Sequence, residues 1–143
     1  MKALLLLLGA VLLRAAPALA QKVPAARVPP AARVAFEALF ATATAATWEK
    51  EGADYEVGFR QAGKNMSAVL TPAGQLLETE TQLTVAELPA AVRTTLARDY
   101  KACRVAEATR IVRADGRTVY EAEISQGGRQ RDVLFTANGR VTK

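Results

Sequence analysis

Tyr55, Val57 and Phe59 alternate with Glu56, Gly58 and Arg60, and the same alternation returns at Tyr120, Ala122 and Ile124, 65 positions later. Strict apolar–polar alternation is the mark of a strand with one buried face. The turns repeat at the same offset: Gly63, Lys64, Val69, Thr71 and Gly74 answer to Gly128, Arg129, Leu134, Thr136 and Gly139. Two matched series of strand, turn, strand and turn predict a duplicated supersecondary unit.

Each copy opens with a helical pattern. Val28-Pro29-Pro30 suits a helix start, because the missing Pro N–H costs nothing in a first turn. Ala32, Phe36, Leu39 and Phe40 then form one apolar stripe, the Ala/Thr run 41–47 ends it, and Trp48–Glu51 is expected to begin the first strand. Leu76–Leu83 reads as the fourth strand, after the turn Thr71-Pro72-Ala73-Gly74. In the second copy Thr84 and Glu87 have capping-box spacing, but Pro89 blocks a continuous helix. A short turn over Thr84–Glu87 and a helix from Pro89 are therefore expected. Leu88, Val92, Leu96 and Tyr100 supply its stripe. The offset between copies grows from 60 to 65 between Tyr100 and Tyr120. This predicts five extra residues in Arg104–Arg113 and the turn at Asp115-Gly116. Gly127-Gly128 and Asn138-Gly139 mark the last turns, leaving Arg140–Lys143 as a short final strand. The fold class is α+β: two tandem helix-plus-antiparallel-strand repeats (28–83 and 84–143) forming one sheet with helices on one face. The other face is left to water or to a partner.

Ahead of this lies Met1-Lys2, the apolar run Ala3–Leu13 and a segment ending Ala18-Leu19-Ala20, the pattern of a secretory signal cleaved near Ala20. The run is too short to span a bilayer, so no stable membrane insertion is expected, and residues 21–27 read as a leader without structure. The location implied is periplasmic or secreted. Cys103 is the only cysteine, so packing alone must hold the fold.

Composition removes several chemistries. The chain has no histidine, which excludes Ser-His-Asp and Cys-His catalysis and His-containing zinc sites. No G-x-S-x-G surrounds Ser67 or Ser125, and no Gly-rich phosphate loop opens a helix. No enzyme, cofactor or metal is indicated. The acidic set Glu49, Glu51, Glu78 and Glu80 lacks calcium-loop spacing. The net charge of +5 is uneven: residues 28–86 hold 4 basic and 7 acidic groups, and 87–143 hold 11 and 7. A basic second half, with Arg110, Arg113, Arg117, Arg129 and Arg131, offers one reading: a binder of an anionic small ligand or envelope polymer. No nucleic-acid reading motif is present.

The segments Val28-Pro29-Pro30-Ala31 with Arg33 and Phe36, Trp48-Glu49-Lys50-Glu51-Gly52 and Tyr55-Glu56-Val57 recur as Leu88–Arg93, Ala114-Asp115-Gly116 and Tyr120-Glu121-Ala122-Glu123. On these residues the chain resembles the PepSY-like family of beta-lactamase-inhibitor-like exported bacterial proteins, over about residues 27–143. The resemblance implies a concave antiparallel sheet with helices on its back and a non-catalytic binding role. The inhibitors of that name present aromatic side chains on the open face. Here alternation places Glu56, Arg60, Ser67, Val69, Thr71, Glu121, Glu123, Gln130, Asp132 and Leu134 on it, which points away from beta-lactamase as the target. The favoured reading is a protein or peptide partner of the cell envelope, captured on that face. Glu56, Glu121 and Glu123 line it, Val69 and Leu134 are apolar anchors in matching positions, and Trp48 is a hot spot if it points outward.

Overall fold

The computed structural model describes residues 21–142; residues 1–20, on which the expected secretory signal falls, and Lys143 lie outside the described residues. Nine strands form one antiparallel meander in chain order: β1 (Gln21–Val23), β2 (Thr44–Glu51), β3 (Asp54–Gln61), β4 (Lys64–Leu70), β5 (Leu76–Leu83), β6 (Arg104–Arg113), β7 (Thr118–Gln126), β8 (Arg129–Phe135) and β9 (Val141–Thr142). Helix α1 (Pro30–Leu39) connects β1 to β2, and α2 (Ala90–Asp99) connects β5 to β6. Each helix is preceded by a 3-10 turn, Ala25–Arg27 and Val85–Glu87. The second turn closes with the expected capping box, Glu87 accepting from the Thr84 N–H at 2.8 Å.

Both helices lie on the same face of the sheet and close two separate cores. Under α1, Val28, Ala32 and Phe36 pack with Trp48, Val57, Phe59, Ala68 and Leu70. Under α2, Leu88, Val92 and Leu96 pack with Ala108, Ala122, Ile124, Val133 and Phe135. The first core is aromatic: the Phe36 ring stands 5.1 Å from Phe59 and 5.5 Å from Trp48, edge to face. The second replaces Phe36 and Phe59 with Leu96 and Ile124 and recovers volume by replacing Leu70 with Phe135. Ala108 stands where the first core has Trp48, while Ala32 and Ala68 become Val92 and Val133, so the second core is rebuilt mainly from aliphatic groups.

The turns after β4 and β8 explain the repeated glycines. Gly74 and Gly139 have φ of +85° and +80°, and a Cβ on either would sit 2.6 Å or 2.5 Å from a helix carbonyl oxygen, of Ala31 or Ala91. Each turn therefore presses backbone to backbone onto the first turns of the preceding helix. In the second copy Thr95 Oγ1 also donates to the Gly139 carbonyl at 2.8 Å, where the first copy has Ala35.

Several expectations are corrected. Residues 21–27 are not an unstructured leader: β1 pairs with β2 from Gln21↔Lys50 to Val23↔Trp48, and Ala25–Arg27 forms a turn of 3-10 helix. This strand and turn stand to α1 as β5 and Val85–Glu87 stand to α2, so each structural unit begins one strand before the helix rather than at residue 28 or 84. β2 starts at Thr44, not Trp48, because the Ala/Thr run is β-branched and small enough to absorb a bulge, where Ala45 takes φ 55°. Leu39 is exposed, since the chain leaves the helix there and Phe40 takes its place against Phe59 at 4.7 Å. The final strand is only Val141–Thr142. Of the five residues gained in the second copy, β6 has two more than β2, the β6–β7 turn two more than Gly52-Ala53, and β7 one more than β3.

Candidate functional site

Ladder register fixes which side chains share the uncovered face. Val57↔Ala68 and Ala122↔Val133 face the helices, so Glu56↔Val69 and Glu121↔Leu134 face away. Glu123 lies between Glu107 on β6 and Asp132 on β8. Five of the six candidate residues are thus brought to one face, with each glutamate of the matched pair directly across from its apolar partner. Trp48 is the exception: it does not point outward. It is 6% exposed in the core beneath α1, because its ladder partner is the buried Val57.

The open face holds more than alternation in the two copies had assigned to it. Ile111 on β6 and Val119 on β7 are directly opposite each other, belong to neither core, and are 5% and 9% exposed although no helix covers them. Glu80 stands across from Ile111 on the other side, and Ser67 across from Glu80. Val119 shares the parity of Glu121 and was legible in the sequence. Ile111 was not, because the irregularity between Val105 and Glu107 shifts the phase of β6.

Ten carboxylates occupy this face: Glu49 and Glu51 on β2, Asp54 and Glu56 on β3, Glu78 and Glu80 on β5, Glu107 on β6, Glu121 and Glu123 on β7, and Asp132 on β8. Four basic residues share it, Lys22, Arg60, Arg104 and Arg113. The rest of residues 21–142 has the opposite balance, 12 basic to 4 acidic. Glu49↔Glu56, Glu51↔Asp54, Glu107↔Glu123 and Glu123↔Asp132 are like charges directly across a ladder, an arrangement that costs stability. Among the described residues the one ion pair on this face is Arg113–Glu78 at 3.3 Å.

The carboxyl groups respond to one another. Burial, then Glu78, Glu56 and Glu121, pushes Glu80 up to about 7. Burial, then Asp132 and Glu123, raises Glu121, and burial, then Glu56 and Glu78, raises Glu51. Two hollows open on the face. One of about 620 Å³ runs from the Gly52-Ala53 turn past Val69, Leu77, Glu78 and Arg113 to Ala114 and Asp115; the other, about 170 Å³, includes Ser67, Glu80, Gln82, Glu107 and Thr109. Among the described residues no three or more Cys, Asp or Glu side chains are placed to hold a single metal ion.

The arginines of the second copy do not converge. Arg113 pairs with Glu78, Arg117 with Asp115, and Arg131 lies over the Tyr100 ring at 5.5 Å. Arg110 is across from Tyr120 on the helix side of the sheet. Cys103 is half-buried beside Gln126.

Comparison with known proteins agrees with this architecture. Solved structures of the same fold include one described as "putative periplasmic proteins" from Bacteroides eggerthii, 22% identical, covering 81% of this chain and 86% of its own with a TM-score of 0.77. Another is a BLIP-like protein from Bacteroides fragilis, 25% identical, covering 79% and 82%, with a TM-score of 0.71. No curated protein matches the chain. No helix among the described residues is long and apolar enough to cross a membrane. The profile of one family, "Putative beta-lactamase-inhibitor-like, PepSY-like", matches residues 18–78 and again 67–143. The two matches place one unit on each α-helix, and the chain belongs to that family.

Proposed function

We propose that this protein is an exported, non-catalytic binding protein that captures a protein partner on the open face of its sheet. One observation carries the reading. The same pair, a glutamate directly across from an aliphatic residue, stands uncovered in both copies, as Glu56↔Val69 and Glu121↔Leu134. A face that needs only water has no use for aliphatic residues at matched positions, whereas a docking face needs apolar anchors within a polar rim. Membership of an inhibitor-like family and the periplasmic description of one structural relative support an exported binder. The alternative, an anionic ligand held by the basic second repeat, has less behind it, since those arginines are dispersed: Arg117 sits in a turn, Arg110 and Arg131 on the helix side, and Arg113 on the open face, already paired with Glu78.

Site-specific photo-crosslinking tests the proposal. A benzophenone side chain at position 69 or 134 should give adducts to a periplasmic protein, while one at Val34, exposed on α1, should give none. The double substitution Val69→Ser with Leu134→Ser should weaken capture at least tenfold, about 1.4 kcal/mol. Adducts from position 34 alone would refute the open face as the working surface.

A further inference from the structure

We propose that the occupant of the open face is a cationic polypeptide segment carrying several Lys or Arg residues interspersed with apolar ones. This rests on the docking role proposed above and names the chemistry of the partner. Charge complementarity is the first argument. Ten carboxylates meet four basic residues on a chain whose remaining surface is strongly basic, so the negative field is local to the one face that no helix covers. Four pairs of carboxylates stand directly across ladders with nothing between them, a repulsion that folding alone would select against. Cations from a partner would relieve it.

Shape and spacing argue for a polypeptide rather than a single ion. The carboxylates run from β2 to β8, six inter-strand spacings or roughly 29 Å, and no three converge on one point. Aliphatic residues are set among them. Val69 lies between Glu56 and Glu78, and Leu134 lies directly across from Glu121, both partly exposed. A segment with apolar side chains between its cations matches both features, and an anionic or purely apolar segment matches one at most.

Docking should also be linked to protons. Glu80 faces Ser67 on β4 and Ile111 on β6, with Glu78 and Gln82 beside it on its own strand. The nearby charges are Glu56 on β3, Glu121 on β7, Glu107 on β6, which lines the same hollow, and Arg113 on β6, already engaged by Glu78. Its carboxyl is half-protonated near pH 7. A cation placed beside it favours the ionised form, so binding releases a proton below that pH and tightens as pH rises.

The test uses the isotope-labelled protein and three synthetic octapeptides, alternating Val with Lys, with Glu or with Ser. The Lys peptide should shift amide resonances of β3 to β8 and weaken with salt. Its affinity should rise three- to tenfold from pH 6 to pH 8. Glu80→Gln with Glu121→Gln should lower the affinity at pH 8 at least tenfold and flatten the pH dependence, while Glu37→Gln on α1 should change neither. Equal binding of the Ser or Glu peptide at the open face would overturn the cationic occupant and leave the docking face standing. Binding of the Lys peptide on the helix side, or no binding by any peptide at millimolar concentration, would overturn the proposal. The crosslinks from positions 69 and 134 would then decide the docking face separately.

Discussion

At the scale of single residues, backbone conformation and available space can be separated at the glycines. Gly116 and Gly139 share nearly the same φ, +81° and +80°, yet nothing lies within 4 Å of a Cβ added at Gly116, whereas at Gly139 it would meet the Ala91 carbonyl oxygen at 2.5 Å. Gly116→Ala should therefore cost only the left-handed backbone penalty, about 1 kcal/mol. Gly139→Ala should cost clearly more, about 2–4 kcal/mol, because the opposing atom is helix backbone and cannot swing aside. Denaturant melts of both variants check this, and equal losses would mean that the turn can lift off the helix. Glycines at 74 and 139 were visible in the sequence as a repeated turn signal. Why glycine is needed there was not, since the clash partner lies in a helix more than 40 residues upstream.

At the scale of elements, strand phase decides function, because a one-residue slip exchanges the two faces. Phe59 is 4% exposed against Phe36 and Phe40, and its neighbour Arg60 faces solvent. Phe59→Ala should cost about 3–5 kcal/mol and Arg60→Ala under about 0.5 kcal/mol in equilibrium unfolding. Similar losses at the two sites would place β3 in the opposite phase. Alternation sufficed for β3 with β4 and for β7 with β8, whose mutual ladders run without interruption. It failed in β2 and β6, each of which carries an irregularity in its pairing with the next strand. A bulge inserts a residue and breaks the period of two that the reading depends on. The open-face position of Ile111 and the start of β2 at Thr44 are not legible in the sequence for that reason.

At the scale of the whole molecule, one sheet separates two environments. Its helix side is packed with aromatic and aliphatic groups, and its open side accumulates carboxylates that repel one another. Glu80 reports on this directly. A carboxyl held at about 7 in the folded state binds more protons folded than unfolded, so its contribution to stability is full below about pH 4.5 and is lost as pH rises through about 7. Glu80→Gln should remove that loss. The variant should match the parent at pH 5 and exceed it by about 1–2 kcal/mol at pH 8, a figure reduced from the full shift for partial solvent exposure. A parent stability that does not fall between pH 5 and 8 would show that Glu80 titrates as an ordinary surface carboxyl.

Hydrophobic periodicity, turn residues and internal repetition are local quantities, and they determined both helices, the strands from β2 onward, the duplication, and which face of β3, β4, β7 and β8 is buried. The capping box at Thr84 and Glu87 and the break at Pro89 were equally local and equally readable. What needed the tertiary structure were relations between distant segments. Trp48 is assigned to the core by its pairing with Val57. Residues 21–27 gain structure from the edge of β2 rather than from their own propensity. The carboxylates of six strands become one surface only when the ladders set them in register. Charge along the chain suggested a basic second half, but the sheet sorts charge by face and not by sequence, because adjacent residues of a strand point to opposite sides. That sorting places the negative field where the helices do not reach.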